Sequence, residues 1–123
     1  MSRVVHFDIN SKNPDRAIKF YETIFNWKFK KWEGPLEYCL IKTGEDSEPG
    51  INGGMGKVDE LPGFETSVII DVKSIDNVIM QIKNLGGIIL EPKMFLPGAG
   101  WFAKFEDTEG NKLGLMQEEP SAN

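Results

Sequence analysis

The first residues of the chain alternate between apolar and polar side chains. Over residues 3–9 the segment RVVHFDI has the two-residue period of a strand that is buried on one side. Phe7 and Ile9 therefore point to one face of the predicted strand, and His6 and Asp8 point to the other. His6 is the chain's single histidine, and an imidazole can ligate a metal or exchange protons near neutral pH.

A helix is predicted after this strand. Asn13 suits an N-cap, and Pro14 suits the first helical turn, where its missing N–H is not needed. Asn26 suits the left-handed residue that ends a helix. Apolar residues recur between them at helical spacing, namely Ala17, Ile18, Tyr21, Ile24 and Phe25. Strand-like segments follow at residues 27–32, 37–43 and 51–57.

The second half of the chain repeats this order. A strand-like segment at residues 66–72 leads to Ser74, a second N-cap, and Gly86 and Gly87 end the helix that follows. The apolar stripe of this helix consists of Ile75, Val78, Ile79, Ile82 and Leu85. Three more strands are predicted at residues 88–94, 101–107 and 112–117.

The two halves are offset by a constant 61 residues. This distance separates the caps Asn13 and Ser74, and it also separates the stops Asn26 and Gly87. The pattern predicts an α+β fold of two tandem βαβββ modules in one domain, residues 1–123. The predicted boundaries are about 1–58 for module one, 59–65 for a linker, about 66–118 for module two and 119–123 for a tail.

Composition narrows the possible partners. Fourteen basic and nineteen acidic residues give a net charge of -5, which argues against a nucleic-acid or anionic-membrane surface. The single cysteine, Cys39, allows no internal disulfide, as is usual in a reducing compartment. No apolar run is long enough to cross a membrane, and the N-terminus lacks a signal-peptide pattern. We therefore expect a cytoplasmic protein.

Five segments, which together span nearly the whole chain, resemble the vicinal-oxygen-chelate superfamily. They are VHFDI, NPDRAIKFYETIFNW, GINGG, PGAGWFAKFEDTEGN and GLMQ. This superfamily includes glyoxalase I, bleomycin-resistance proteins and extradiol dioxygenases, and the chain is most similar to a branch related to lactoylglutathione lyase. The resemblance implies a mixed sheet curled around a cleft, with the helices outside. It also implies a homodimer, in some members with exchanged modules.

Family metal sites use four positions, on the first and last strand of each module. His6 matches the first of them, and the 61-residue offset gives Ser67 in module two. On the last strand the resemblance implies Gly114, and the offset gives Gly53 in module one. A divalent metal needs several imidazole, carboxylate or thiolate ligands, which two glycines and a serine do not supply. We therefore expect no cofactor and no tightly bound metal, with His6 as the one matching ligand position.

Other uses of His6 stay open. Asp8 shares its face, and Glu118 would share the face of Gly114 if the last strand extended that far, which would give a three-ligand metal site. Without a metal, His6 could exchange protons as a catalytic residue. It could also hydrogen-bond a neighbour such as Asp8 or Ser67, or contact a ligand without chemistry.

Methionines and glycines extend the candidate ligand surface. Met55 and Met116 are equivalent by the offset and share the faces of Gly53 and Gly114. The two glycines leave room on those faces, and the two methionines suit either a ligand surface or an apolar core.

The tryptophans and the cysteine receive different predictions. Trp101 follows a glycine turn and is expected at the mouth of the cleft, whereas Trp27 and Trp32 are expected to pack. Cys39 is expected to be a small buried residue, not a nucleophile.

Three hypotheses about function follow. The first is a glyoxalase-like protein that binds a small, partly apolar molecule without a tightly held metal, and it leaves open whether chemistry follows. The second is a metal-dependent lyase, isomerase or dioxygenase of glyoxalase I type that uses His6. The third is a stand-alone binding or sequestering protein, as in bleomycin resistance. The predicted ligand contacts are His6, Asp8, Gly53, Met55, Ser67, Trp101, Gly114 and Met116.

Overall fold

All ten predicted elements are present in the computed structural model, which describes residues 2–34, 37–57 and 65–118. The predicted tail and nearly all of the predicted linker lie outside these described residues. The elements are β1 (Arg3–Ser11), α1 (Pro14–Phe25), β2 (Lys28–Lys31), β3 (Tyr38–Lys42), β4 (Asn52–Lys57), β5 (Ser67–Asp71), α2 (Ile75–Asn84), β6 (Ile88–Leu96), β7 (Gly100–Glu106) and β8 (Lys112–Gln117). Neither of these two helices has the length and apolar character of a membrane span.

The chain forms two compact units with the same strand pattern. One comprises residues 6–66, and the other comprises residues 67–123 together with residues 1–5. In the first unit the strand order is β2-β3-β4-β1, with β1 and β4 parallel and the other pairs antiparallel. In the second unit the order is β5-β8-β7-β6, with β5 and β8 parallel. The predicted α+β class and the repeated βαβββ order are confirmed.

The predicted helix caps and the stop at Asn26 are also confirmed, whereas the left-handed residue after α2 is Gly86, with φ 95°, and not Gly87, which the 61-residue offset predicted. Asn13 Oδ1 accepts a hydrogen bond from Arg16 N at 3.1 Å, and Ser74 Oγ accepts one from Asn77 N at 3.2 Å. Asn26 ends α1 with φ 60°, in the left-handed region. These local signals are readable from sequence because each depends on neighbouring backbone groups only.

Each helix covers one face of its own half-sheet. In the second unit Ile75 is fully buried at the start of α2 and clusters with Val72, Ala103 and Leu115. In the first unit the Phe7 ring lies 5.8 Å from the Trp27 ring, which stacks on Tyr21 of α1 at 5.1 Å. The predicted side of Phe7 and the packing role of Trp27 are therefore confirmed.

The 61-residue offset fails on the last strand of each module. In module one Asp8 of β1 pairs with Gly54, and in module two the residue 61 positions later, Ile69, pairs with Gly114. The counterpart of Gly114 is therefore Gly54, at an offset of 60. Side chains alternate between faces along a strand, so an error of one residue reverses the assigned face.

The predicted placement of Gly53 and Met55 beside His6 is wrong for this reason. Gly53 pairs with Phe7, and a Cβ added to Gly53 would overlap the Phe7 carbonyl oxygen and ring. Met55 is almost completely buried on the same side. Both residues thus face the helix-covered core, on the opposite side of the half-sheet from His6 and Asp8.

Candidate functional site

Three polar side chains meet on the side of the first half-sheet that points away from α1. Tyr38 Oη donates a hydrogen bond to Asp8 Oδ1 at 2.5 Å. His6 Nε2 lies 2.7 Å from Tyr38 Oη and 3.3 Å from Asp8 Oδ1. The expected proximity of Asp8 to His6 is confirmed, whereas the part played by Tyr38 is new. We call these three residues the polar triangle.

Counting protons assigns the tautomer of His6. The single proton of the Tyr38 hydroxyl goes to Asp8, so the bond between Tyr38 and His6 needs a proton from the imidazole. Nε2 therefore carries a hydrogen, and it faces two acceptors, the Tyr38 oxygen and Asp8 Oδ1. In a neutral imidazole this leaves Nδ1 as the bare nitrogen.

The environment keeps Tyr38 in its phenol form. Burial raises the pKa of Tyr38 far above its ordinary value, and the charge of the Asp8 carboxylate and its hydrogen bond to the hydroxyl add to this effect. Tyr38 consequently keeps its proton near neutral pH and donates it to Asp8. The phenol holds the carboxylate and the imidazole in a defined geometry.

A glycine makes the triangle possible. Tyr38 lies on β3 and the other two members on β1, with β4 between them. Gly54 of β4 pairs with Asp8 on one side and with Leu40 on the other. A Cβ added to Gly54 would overlap the Tyr38 hydroxyl and ring, so the missing side chain lets the phenol cross the strand.

Trp32 adds an aromatic surface beside the triangle. Its backbone N donates to Tyr38 O at 2.8 Å, and the two rings meet edge to face, with centroids 6.0 Å apart and an angle of 81°. The sequence predicted Trp32, like Trp27, to pack, without naming its partner. Trp32 packs against Tyr38 because residues directly opposite each other on paired strands share a face.

The predicted site residues of module two have varied surroundings. The Ser67 hydroxyl donates to the backbone oxygen of Lys112 at 2.8 Å. Gly114 shares the face of Ile69, and a Cβ added there would lie 3.2 Å from Ile69 Cγ1. Met116 lies two residues along the same strand, on the same face as Gly114. The Ser67 hydroxyl already has a partner, and Ile69 limits the room at Gly114.

The predicted position of Trp101 at the mouth of a cleft is wrong. Its side chain packs against the buried cluster beneath α2, with Phe95 at 5.0 Å between ring centroids and Lys93 Nζ 4.6 Å above the ring. Phe102 points to the other side and pairs with Met116. The turn before Trp101 gave no information about which side its ring would take, because that depends on the register of β7 against β8.

The described donor atoms do not fit a tightly held divalent metal. No three His, Cys, Asp or Glu side chains within residues 2–34, 37–57 and 65–118 lie close enough to one another to share an ion. In the triangle, Nε2 of His6 carries its proton toward Tyr38, and Asp8 is the one carboxylate. Glu118 follows the end of β8 and is exposed. A zinc site of the usual kind needs three or four such ligands.

Cys39 has the character of an unreactive thiol. It pairs with the buried Met55 and therefore points away from its neighbour Tyr38. The pKa of the Cys39 thiol is raised, mainly by burial and to a smaller extent by the negative charges of Glu37 and Asp15. Since the thiolate is the nucleophilic form, this environment agrees with the expectation that Cys39 is not a nucleophile.

Sequence reasoning missed Tyr38, Gly54 and Trp32. A signal was present in the adjacent glycines Gly53 and Gly54, because a glycine inside a strand often marks the close approach of another group. Neighbouring residues of a strand lie on opposite faces, so one of the two glycines must lie on the face of His6. Which neighbour does so depends on strand pairing.

Comparison with known proteins places the chain in a family. No family model matches the chain. A glyoxylase-like domain-containing protein of Didymella fabae is 31% identical over 110 residues, which cover 85% of this chain and 84% of that protein.

Solved structures share the fold at low sequence identity. A hypothetical protein from Bacillus halodurans has a TM-score of 0.74 at 14% identity, covering 99% of this chain and 98% of its own. Methylmalonyl-CoA epimerase from Mycobacterium tuberculosis has a TM-score of 0.71 at 12% identity, with coverages of 97% and 89%. A methylmalonyl-CoA epimerase in complex with methylmalonyl-CoA and NH4+ has a TM-score of 0.68 at 16% identity, with coverages of 98% and 96%. The chain belongs to the glyoxalase-like proteins of the vicinal-oxygen-chelate superfamily.

Proposed function

We propose that this protein binds a small, partly apolar molecule on the face of the first half-sheet that carries the polar triangle, and that it does so without a tightly held metal. The main observation that supports this proposal is the polar triangle, in which Tyr38 is hydrogen-bonded to both Asp8 and His6. Such a network holds polar atoms in place for a ligand, because each of its members is positioned by another.

The surroundings of the triangle support a ligand with an apolar part. Trp32 and Tyr38 present two aromatic rings on the same face, and Leu40 lies on that face as well. Binding sites of small molecules commonly combine apolar and aromatic walls with a few fixed polar groups. That a protein of this fold can bind an organic ligand is supported by one similar structure, an epimerase in complex with methylmalonyl-CoA.

A metal-dependent lyase, isomerase or dioxygenase is the alternative. It would need His6 to coordinate an ion together with at least two more donors, and the described residues bring only Asp8 to its side. With Nε2 protonated, His6 can offer a metal only its Nδ1 atom, so the described residues supply two ligands, His6 and Asp8. The donor set therefore favours binding without a metal.

Ligand-observed NMR tests the proposal. A panel of single-ring compounds, each with one cationic, neutral or anionic group, would be screened against the wild type and then against the variants His6→Ala and Trp32→Ala. We expect compounds that bind the wild type to bind both variants more weakly. Phe20→Ala is the matched control, because Phe20 is an exposed aromatic residue on α1.

The variants must be folded for the comparison to count, so their melting temperatures would be measured alongside. His6 is a half-buried polar residue, and we expect His6→Ala to fold. Compounds that bind both variants as tightly as the wild type would show that the binding surface lies elsewhere.

A further inference from the structure

Two acceptor atoms of the polar triangle are unused within the described residues. His6 Nε2 donates its proton to Tyr38 Oη, and Tyr38 Oη donates its own proton to Asp8 Oδ1. His6 Nδ1 and Asp8 Oδ2 have no hydrogen-bond partner in the described part of the chain. Every buried side-chain nitrogen and oxygen there has a partner, so these two atoms are in contact with solvent. The side chains of His6 and Asp8 are 24% and 13% exposed.

Both atoms have the same hydrogen-bonding character. A carboxylate oxygen accepts only, and the bare nitrogen of a neutral imidazole accepts only. The two donors of the triangle are already engaged with each other and with Asp8. The triangle therefore offers an incoming molecule acceptors and one negative charge, but no donor.

We infer that the group anchored here is a cationic hydrogen-bond donor, a primary ammonium or an amidinium, attached to an apolar body. This inference rests on the proposed function and names its ligand class. An ammonium has three N–H groups and no acceptor, so it can donate to His6 Nδ1 and to Asp8 Oδ2 together. An anion would meet like charge and unpaired acceptors at the same place.

Trp32 strengthens the preference for a cation. Its ring contacts the Tyr38 ring, and aromatic faces attract cations through the negative face of the π-system. The apolar body of the ligand would lie along these rings, with the charged end toward Asp8.

Three lysines on the same face carry positive charge, which would repel a cationic ligand. Lys28, Lys30 and Lys42 share the face by strand pairing, but they lie on β2 and β3, away from β1, and are exposed. Lys42 also has Glu45 as an ion-pair partner at 3.7 Å. Exposed charges are screened within about 8–10 Å at ordinary ionic strength, whereas the half-buried Asp8 contacts the ligand directly.

Three matched probes test the ligand class: benzylamine, benzyl alcohol and benzoate, all at pH about 8. Their dissociation constants would be measured by titration followed by NMR. We expect benzylamine to bind tightest and benzoate weakest, with about a tenfold difference between them, the size expected for a hydrogen bond to a charged group. In Asp8→Asn, which keeps the shape but removes the charge, this difference should fall to less than about threefold.

Asp76→Asn is the control, because Asp76 is an exposed carboxylate on α2 paired with Lys93; the order of the probes should not change. Benzoate binding tighter than benzylamine to the wild type would overturn the inference and leave the proposed function standing. If no probe and no panel compound binds the wild type, the proposed function fails, and the inference fails with it. The order in the wild type decides the question even if Asp8→Asn does not fold.

Discussion

The Tyr38 side chain lies over Gly54, in space that any other residue at position 54 would fill. The two residues are on adjacent strands, and the phenol reaches Asp8 on the strand beyond. A glycine inside a strand lowers stability because of its backbone freedom. At position 54 the glycine is needed all the same, because only a residue without a side chain lets Tyr38 cross β4 and reach Asp8.

The variant Gly54→Ala tests this relationship. The new methyl group must displace the Tyr38 ring, and we expect a loss of roughly 1–3 kcal/mol in the free energy of unfolding, as for other overpacked sites. In a Tyr38→Ala background the same change should cost much less, since the obstruction is gone. Urea unfolding of the four proteins of this double-mutant cycle measures the coupling. Gly44→Ala is a suitable control, because a Cβ there would meet only the flexible end of Glu48. If Gly54→Ala lowered the free energy of unfolding equally in the wild-type and Tyr38→Ala backgrounds, the Tyr38 ring would not lie over Gly54.

Alkaline titration tests the environment of Tyr38. Its pKa is raised in the folded protein by burial and by Asp8, so its contribution to stability is complete below about pH 10, the pKa of an exposed tyrosine. Above that pH the unfolded chain loses the proton first, and the free energy of unfolding falls. We expect a steeper fall in the wild type than in Tyr38→Phe, measured by urea unfolding between about pH 9 and 11. Parallel curves would show that the phenol lies in an ordinary environment.

Two leucines of module two should differ in how much they contribute to stability. Leu115 is 1% exposed in the cluster beneath α2, whereas Leu85 at the end of that helix is 78% exposed. Leu115→Ala should cost roughly 2–5 kcal/mol, and Leu85→Ala should change stability by less than about 0.5 kcal/mol. Thermal or urea unfolding of the two variants measures both. A large effect at Leu85 would reveal a contact made by another copy of the chain or another protein.

Elemental analysis tests the metal prediction. After mild dialysis, the purified protein should carry far less than one equivalent of zinc, nickel or iron, because His6 and Asp8 provide too few ligands. His6→Ala should leave this low content unchanged. A stoichiometric metal that disappears in His6→Ala would show that further ligands join His6.

Several expectations from sequence stay predictions. The homodimer, the cytoplasmic location and the absence of nucleic-acid and membrane partners depend on molecules or compartments that the chain alone does not contain. Size-exclusion chromatography with light scattering would measure the oligomeric state.

The sequence by itself determined the ten elements, their repeated order and the side of the first strand that meets a helix. The caps Asn13 and Ser74 and the alternation around His6 sufficed for this, because they report on contacts with neighbouring residues.

Only the tertiary structure decided which residues accompany His6. The pairing of β4 with β1 gave Gly54, not Gly53, to its face, and the pairing of β3 with β4 brought Tyr38 within reach. Strand pairing is a contact between distant parts of the chain, and a shift of one residue exchanges the two faces of a strand. A periodic pattern shows that a strand has two different sides, but the identity of its neighbours comes from the register that the folded sheet adopts.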